Sequence, residues 1–202
     1  MSSMISTDIR DGIFCVIAKQ NDNISVGTAF AVDSKNLLTN KHVVRVAKSG
    51  KVLIAHPKWS KPCIARIKEM ARAFDLAWLE LEDSSVKLTP LTISETLAIQ
   101  GEDVCSFGYP GYSYEISNGI PEITMDKGII KATHRIMDGT NPCYETSATI
   151  NSGNSGGPLV NNAHEVIGVN SFGIDSMENC FYAIRIDAVK IAFPALWNRI
   201  TK

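Results

Sequence analysis

The sequence predicts an all-β protein, a barrel or sandwich in two halves finished by a helix. Three observations predict it. Short apolar, β-rich runs recur at regular spacing between polar turns. Helical periodicity stays weak until the end of the chain. A polar, proline-containing connector over 90–101 separates two similar sets of runs.

The elements follow in order. Ile13-Phe14-Cys15-Val16-Ile17 is a compact strand, and Gln20-Asn21-Asp22-Asn23 is the turn after it. Gly27-Thr28-Ala29-Phe30-Ala31-Val32, the polar tip Asp33-Ser34-Lys35-Asn36 and Leu37-Leu38-Thr39 read as a hairpin. Strands over 51–56, 63–70 and 76–81 complete an N-terminal half of about 10–90. Beyond the connector, strands are expected over 103–108, 126–133, 142–147, 158–160, 166–172 and 181–186, giving a second half of about 100–186. A Gly-, Tyr- and Ser-rich stretch over 109–123 reads as a long surface loop. Asp187 can cap a helix over 187–201 that carries Val189, Phe193, Leu196, Trp197 and Ile200 on one side. Pro194 should kink this helix or end its first part. The whole, 1–202, is expected to form one domain.

Composition narrows the class. The 202 residues are 45% hydrophobic and 20% charged, with a net charge of −1, enough to bury a core and incompatible with disorder. Near-neutrality argues against a nucleic-acid or anionic-membrane partner, whose capture needs clustered Lys and Arg. No apolar run approaches the ~20 residues of a membrane span. The start, MSSMISTDIRDG, lacks the basic patch and apolar stretch of a secretion signal. Cys15, Cys63, Cys105, Cys143 and Cys180 are odd in number, widely spaced and without a CxxC pair. They read as buried apolar side chains in a reducing compartment, and the expected location is cytoplasmic. His56, His134 and His164 have no metal-ligand spacing, so neither metal nor cofactor is expected. Trp59, Trp78 and Trp197 read as packing residues.

One segment carries chemistry: Asn151-Ser152-Gly153-Asn154-Ser155-Gly156-Gly157-Pro158. A serine among glycines lies in a sharply bent backbone open to close approach. Its hydroxyl needs a base within hydrogen-bond reach, and the developing oxyanion needs N–H donors, which Gly153 and Ser155 can supply. Gly-x-Ser-x-Gly also fits the nucleophile elbow of α/β-hydrolases, where acid and histidine follow the serine. Here only His164 follows, too close in the chain, and repeated β-α units are missing. The order His, Asp, Ser has candidates instead. His42 lies where a strand end would present it in a cleft, and Asp75 is an acid set against the apolar run Leu76-Ala77-Trp78-Leu79. Such an acid needs a partner, and orienting a histidine is one solution.

With these motifs the chain resembles a trypsin-fold serine protease of the chymotrypsin superfamily, most of all the protease domain of the HtrA (Deg) family. The resemblance spans roughly 13–186. It rests on Gly27-Thr28-Ala29-Phe30, Leu38-Thr39-Asn40-Lys41-His42-Val43-Val44, Asp75-Leu76-Ala77, Gly153-Asn154-Ser155-Gly156-Gly157-Pro158-Leu159-Val160, Val166-Ile167-Gly168-Val169-Asn170-Ser171 and Tyr182-Ala183-Ile184. It implies two packed six-stranded antiparallel β-barrels with a cleft between them. It also implies a nucleophile at Ser155, a general base at His42, an orienting acid at Asp75 and an oxyanion hole at Gly153 and Ser155. Ser171-Phe172-Gly173 would be the edge on which a peptide pairs as an extra strand.

Departures from the pattern refine the expectation. Secreted digestive members carry an acid before the nucleophile and a cysteine after the histidine motif; here stand Asn154 and Val43-Val44. Activation by N-terminal processing is therefore not expected, and the 109–123 loop becomes the candidate regulatory element. The pocket-floor position, six residues before Ser155, is Thr149 rather than an acid, and Phe181 or Cys180 would narrow the far wall. A small or medium apolar P1 residue is expected, unless Asp175 or Glu178 reaches the pocket from its rim. The sequence leaves no length for the PDZ domain usual in HtrA enzymes, which suggests a separate regulatory protein. Family members are often homo-oligomers, so self-association is an open expectation. The readings are a serine endopeptidase acting on protein or peptide substrates, a silent pseudoprotease or chaperone-like peptide binder, and an esterase on the same triad.

Overall fold

Strand β1 (Ile13–Gln20) shows how alternation builds the fold. Phe14, Val16 and Ala18 join one buried cluster, while Ile13 and Cys15 join another on the opposite face. Successive side chains of a strand point to opposite sides, so one strand serves a barrel interior and a second interface at once.

The computed structural model describes residues 7–111, 122–137, 139–173 and 180–201. β1 is followed by β2 (Asn23–Ala31), β3 (Asn36–Thr39), β4 (Lys51–Ala55), β5 (Cys63–Met70) and β6 (Ala77–Leu81). They close antiparallel in the order β1-β2-β3-β6-β5-β4. The β1–β2 ladder runs from Ile13 opposite Phe30 to Gln20 opposite Asn23, leaving a two-residue turn at Asn21-Asp22. Asn21 takes φ +54°, as such hairpin turns require and asparagine tolerates. The second set is β7 (Asp103–Gly108), β8 (Thr124–Met137), β9 (Asn141–Thr146), β10 (Pro158–Asn161), β11 (Val166–Gly173) and β12 (Phe181–Arg185). These close in the order β10-β11-β12-β9-β8-β7. Of the two architectures left open by strand spacing, closed barrels are the one adopted. β8 is longer than its apolar pattern suggests, because it passes register shifts after Ile130 and Ala132 while pairing with β9.

Three clusters form the core. Phe14, Val16, Leu37, Val52, Ile54, Leu79 and Leu81 fill barrel one. Val104, Ile130, Tyr144, Leu159 and Ile167 fill barrel two. The third lies between the barrels and joins Ile13, Cys15, Phe30, Leu38 and Trp78 to Phe107, Tyr109, Val160, Val169 and Tyr182. Two further helices pack into it, α3 (Ala188–Ala192) and α4 (Pro194–Ile200), after the short α1 (Thr7–Asp11) and α2 (Lys41–Val44). The expected terminal helix is thus two. Pro194 occupies the first turn of α4, where its missing N–H costs nothing, and Phe193 before it leaves the helical region at φ −136°. Phe193 is 1% exposed and meets Trp78 of barrel one at 6.2 Å between ring centroids.

All five cysteines are free, and burial pushes the Cys15 thiol up to about 12. Among the described residues no helix is long and apolar enough to cross a membrane.

Candidate active site

Three connections place the candidate residues. β3 ends at Thr39, and the chain turns at once into the single turn of α2, which carries His42. The sequence suggested a strand end; a helical turn one residue beyond it does the presenting. Asp75 sits just before β6, and its carbonyl takes hydrogen bonds from Asn40 Nδ2 at 2.9 Å and from the Lys41 amide at 3.3 Å. Lys41 Nζ also donates to the Ala71 carbonyl at 2.9 Å. The loop bearing Asp75 is thereby tied to the helix bearing His42.

The carboxylate of Asp75 takes the His42 amide on Oδ1 at 2.8 Å and His42 Nδ1 on Oδ2 at 2.6 Å. An ionised carboxylate only accepts, so this pairing assigns the ring proton to Nδ1 and leaves Nε2 as the acceptor. From barrel two, Ser171 Oγ donates to the same Oδ2 at 3.4 Å, and Asn141 Oδ1 accepts the Asp75 amide at 2.8 Å. The acid of barrel one is therefore held from both barrels.

Ser155 and its glycines form a tight turn before β10. Gly153 (φ +96°) and Gly156 (φ +87°) adopt backbone that side chains avoid, and a Cβ on Gly156 would collide with the Thr28 carbonyl. Thr28 of β2 organises the turn. Its amide donates to the Ser155 carbonyl, its Oγ1 donates to the Gly153 carbonyl, and its Oγ1 accepts the Tyr109 amide, each at 2.8 Å. Thr39 Oγ1 donates to the Thr28 carbonyl at 2.6 Å. Behind the turn Asn170, 0% exposed, donates through Nδ2 to Ser106 Oγ, Phe107 O and Pro158 O. Asn154 is also wholly buried, with neither side-chain amide atom hydrogen-bonded.

Ser155 Oγ donates to the Ser171 carbonyl at 2.7 Å. No hydrogen bond joins it to His42. The candidates are thus linked through Ser171, which holds Ser155 by its carbonyl and Asp75 by its hydroxyl. Among the described residues the amides of Gly153 and Ser155 donate to no protein acceptor.

The expected substrate-binding residues are more dispersed. Ser171 is buried at a register shift in β11, where the ladder to β12 skips from Asn170 to Phe172. Gly173 pairs with Phe181, which pairs on its other side with Thr146. Thr149 is half-buried beyond the end of β9 and makes no hydrogen bond to the other candidates. Residues 112–121 of the expected regulatory loop lie outside the described residues, as do Asp175, Glu178 and the side chain of Phe172.

A buried acid in β9 went unread in the sequence. Glu145, opposite Tyr182 in the ladder, faces away from Phe181 and Thr146. It takes Lys131 Nζ at 3.1 Å, Arg135 Nε at 2.8 Å and Cys180 Sγ at 3.3 Å. Burial works against its charge, but the bonds from Lys131, Cys180 and Arg135 outweigh this and hold the carboxyl below its usual value. Its charge is consumed internally.

Comparison with known proteins accords with this geometry. The family model described as a trypsin-like peptidase domain matches residues 27–169. Mitochondrial serine protease HTRA2 of Drosophila pseudoobscura pseudoobscura is 32% identical over 197 residues, covering 94% of this chain and 43% of its own. A probable periplasmic serine endoprotease DegP-like of Pseudomonas putida (strain GB-1) is 32% identical over 157 residues, covering 76% of this chain and 30% of its own. The chain thus spans less than half the length of these relatives. A serine endoprotease from Yersinia pestis superposes with TM-score 0.77 at 26% identity, over 95% of this chain and 64% of that one. The active form of the Rv3671c protease from M. tuberculosis shares the fold with TM-score 0.80 at 21% identity, over 93% of this chain and 82% of that one. With a matching model across both barrels and the Ser155 turn inside it, the chain belongs to the trypsin-like peptidase domain family.

Proposed function

We propose that the protein is a serine endopeptidase that cleaves peptide bonds through an acyl-enzyme. One observation carries the reading: the Asp75 carboxylate accepts His42 Nδ1 at 2.6 Å, and Ser171, bonded to that carboxylate, also holds Ser155 Oγ.

Ser155 Oγ leaves the Ser171 carbonyl by side-chain rotation and donates to His42 Nε2. It attacks the scissile carbonyl carbon while its proton passes to Nε2, and Asp75 stabilises the imidazolium. The oxyanion is received by the amides of Gly153 and Ser155. The C–N bond breaks, the leaving amine takes the proton from His42, and water then releases the acyl group by the same steps in reverse. These residues supply the nucleophile, base and oxyanion donors of the reaction, so no cofactor is invoked.

A small or medium apolar P1 residue fits best. Thr149, at the expected pocket-floor position, offers no counter-charge, Glu145 is spent on Lys131 and Arg135, and Phe181 would narrow the far wall. A cleavage profile dominated by Arg or Lys would refute this preference. The hold of Ser171 on Ser155 favours control by a step that frees the hydroxyl, whether a loop or a separate regulatory protein drives it. The five free cysteines favour work in a reducing, cytoplasmic setting.

The same hold on Ser155 favours a second reading, a peptide-binding module that does not cut. Labelling with a fluorophosphonate probe and cleavage of a proteome-derived peptide library separate the two. Labelling of Ser155, with cleavage lost by at least about 10³-fold in Ser155→Ala, is expected for the enzyme. Peptide binding without labelling or cleavage is the outcome for the binder.

A further inference from the structure

Outside the cleft, barrel one carries an apolar row that its own core does not use. Val26 of β2 lies opposite Ile17 of β1, Ile17 opposite Leu53 of β4, and Leu53 opposite Ile64 of β5. Residues opposite one another share a face, and here it is the outer one, since Val16, Val52, Ile54 and Ala65 point inward. Ile17 and Val26 are partly buried against the inter-barrel core, whereas Leu53 is 42% and Ile64 44% exposed. Ile24, on the Val26 face of β2, adds a further side chain at 59% exposure. At about 4.8 Å per strand spacing the row runs ~14 Å across four strands.

Its position relative to Ser155 gives it a meaning. Two residues beyond Val26, ~7 Å along β2, the amide of Thr28 holds the Ser155 carbonyl at 2.8 Å, and a Cβ on Gly27 would come within 3.1 Å of that carbonyl. The strand edge expected to pair with the acyl side of a peptide, 171–173, belongs to barrel two. β2 flanks Ser155 from barrel one, so chain leaving the cleft past β2 is the part that follows the scissile bond. We propose that the row Val26–Ile17–Leu53–Ile64 is a docking surface for that part of the substrate, an extended segment with apolar side chains at alternate positions. The proposal rests on the peptidase reading.

The dimensions favour this occupant. Alternate side chains of an extended peptide repeat about every 6.7 Å, so two or three of them cover the row. The exposed apolar area of such a row is a few hundred Å², against ~800 Å² per partner in a standard stable interface. It is too small to hold a second copy of the chain alone.

Three fluorogenic peptides identical up to the scissile bond test the proposal. One ends two residues after it, one continues with six residues carrying Leu and Val at alternate positions, and one carries Ser in their place. In the wild-type protein the apolar extension should raise kcat/KM about tenfold over the short peptide, and the Ser extension should not. In Leu53→Asp or Ile64→Asp the ratio of extended to short peptide should fall to about one, and Leu53→Thr, a milder change should the aspartates lower Tm, should reduce it. A ratio that survives these substitutions, or an equal gain from the Ser extension, overturns the proposal. So does a ratio unchanged while sedimentation shows the aspartates dissociating a dimer. If none of the peptides is cut, the peptidase reading fails, and fluorescence anisotropy of the labelled apolar extension on the full chain decides the surface alone. Binding lost in Leu53→Asp supports it, and equal binding rejects it.

Discussion

The two barrels share strand number and winding but differ in what they bury. Barrel one encloses a large apolar set, including Phe14, Val16, Leu37, Ile54, Leu79 and Leu81, and also buries Thr28, Asn36, Thr39, Asn40 and His56. Barrel two encloses a smaller apolar set, with Tyr144 hydroxyl taking the Ala98 amide inside it, and buries Ser106, Glu145, Thr146, Asn154 and Asn170 in and around its walls. Among the described residues, barrel one leaves one buried side-chain atom without a hydrogen bond, Asn40 Oδ1, while barrel two leaves Asn154 Oδ1, Asn154 Nδ2 and Asn170 Oδ1. Such groups cost stability and carry direction. His42 and Asp75 thus hang on barrel one, while Ser155 directly follows Asn154 in barrel two, in a turn that Thr28 of barrel one also holds.

The sharpest way to break this division is at Asp75, which barrel one carries and barrel two braces through Ser171 and Asn141. Asp75→Asn should lower kcat by about 10³–10⁴-fold, because the ring of His42 loses its orienting acceptor. Thermal melting should show the fold retained; turnover near wild type would remove Asp75 from the mechanism.

Phe193→Ala tests whether the apolar contact with barrel one carries stability. Removing a buried ring should cost about 3–5 kcal/mol in urea unfolding, and a value under about 1 kcal/mol would mean that the helices only decorate the interface.

Thr28→Val keeps the shape of the junction but strips the hydroxyl that joins the Tyr109 amide to the Gly153 carbonyl. The expected loss is about 1–3 kcal/mol, with a fall in kcat larger than any rise in KM. A loss of stability with turnover intact would confine Thr28 to scaffolding.

Glu145→Gln addresses the polar wall with the smallest effect, about 1–2 kcal/mol. The carboxyl is depressed in the folded state, so its contribution is present above the unfolded value and lost as pH falls through the folded one. The gap in Tm between wild type and variant should therefore be widest at neutral pH and shrink in acid. A gap constant with pH would mean that the charge of Glu145 does not matter.

Sequence legibility follows the same division. Barrel one was readable because its strands are short apolar runs between polar turns, and the motif around His42 sits between β3 and a loop whose acid stands directly before another such run. The turn bearing Ser155 was readable because the glycines at Gly153, Gly156 and Gly157 mark a sharp bend. Glu145 was not, because its partners Lys131 and Arg135 come from β8, whose pairing with β9 slips register twice. Thr28 stood in a recognised motif, yet its bonds to Gly153, Ser155 and Tyr109 depend on which strands meet across the cleft. Asn141 has no local mark at all; its bond to Asp75 joins positions 66 residues apart.

The terminal helices have a kinematic consequence. Phe193 rests on Trp78, and Arg199 pairs with Asp33 at 3.2 Å, so the chain returns to barrel one after completing barrel two. The connector is stitched to both bodies as well, Leu91 to the Ala31 carbonyl and Ser94 to the Val166 carbonyl. A body fastened along one edge can swing like a jaw; fastened at two separated places it can only shear. On the proposed mechanism, Ser155 would then reach His42 by a torsion of one side chain, a picosecond-to-nanosecond event, rather than by microsecond closure of two lobes.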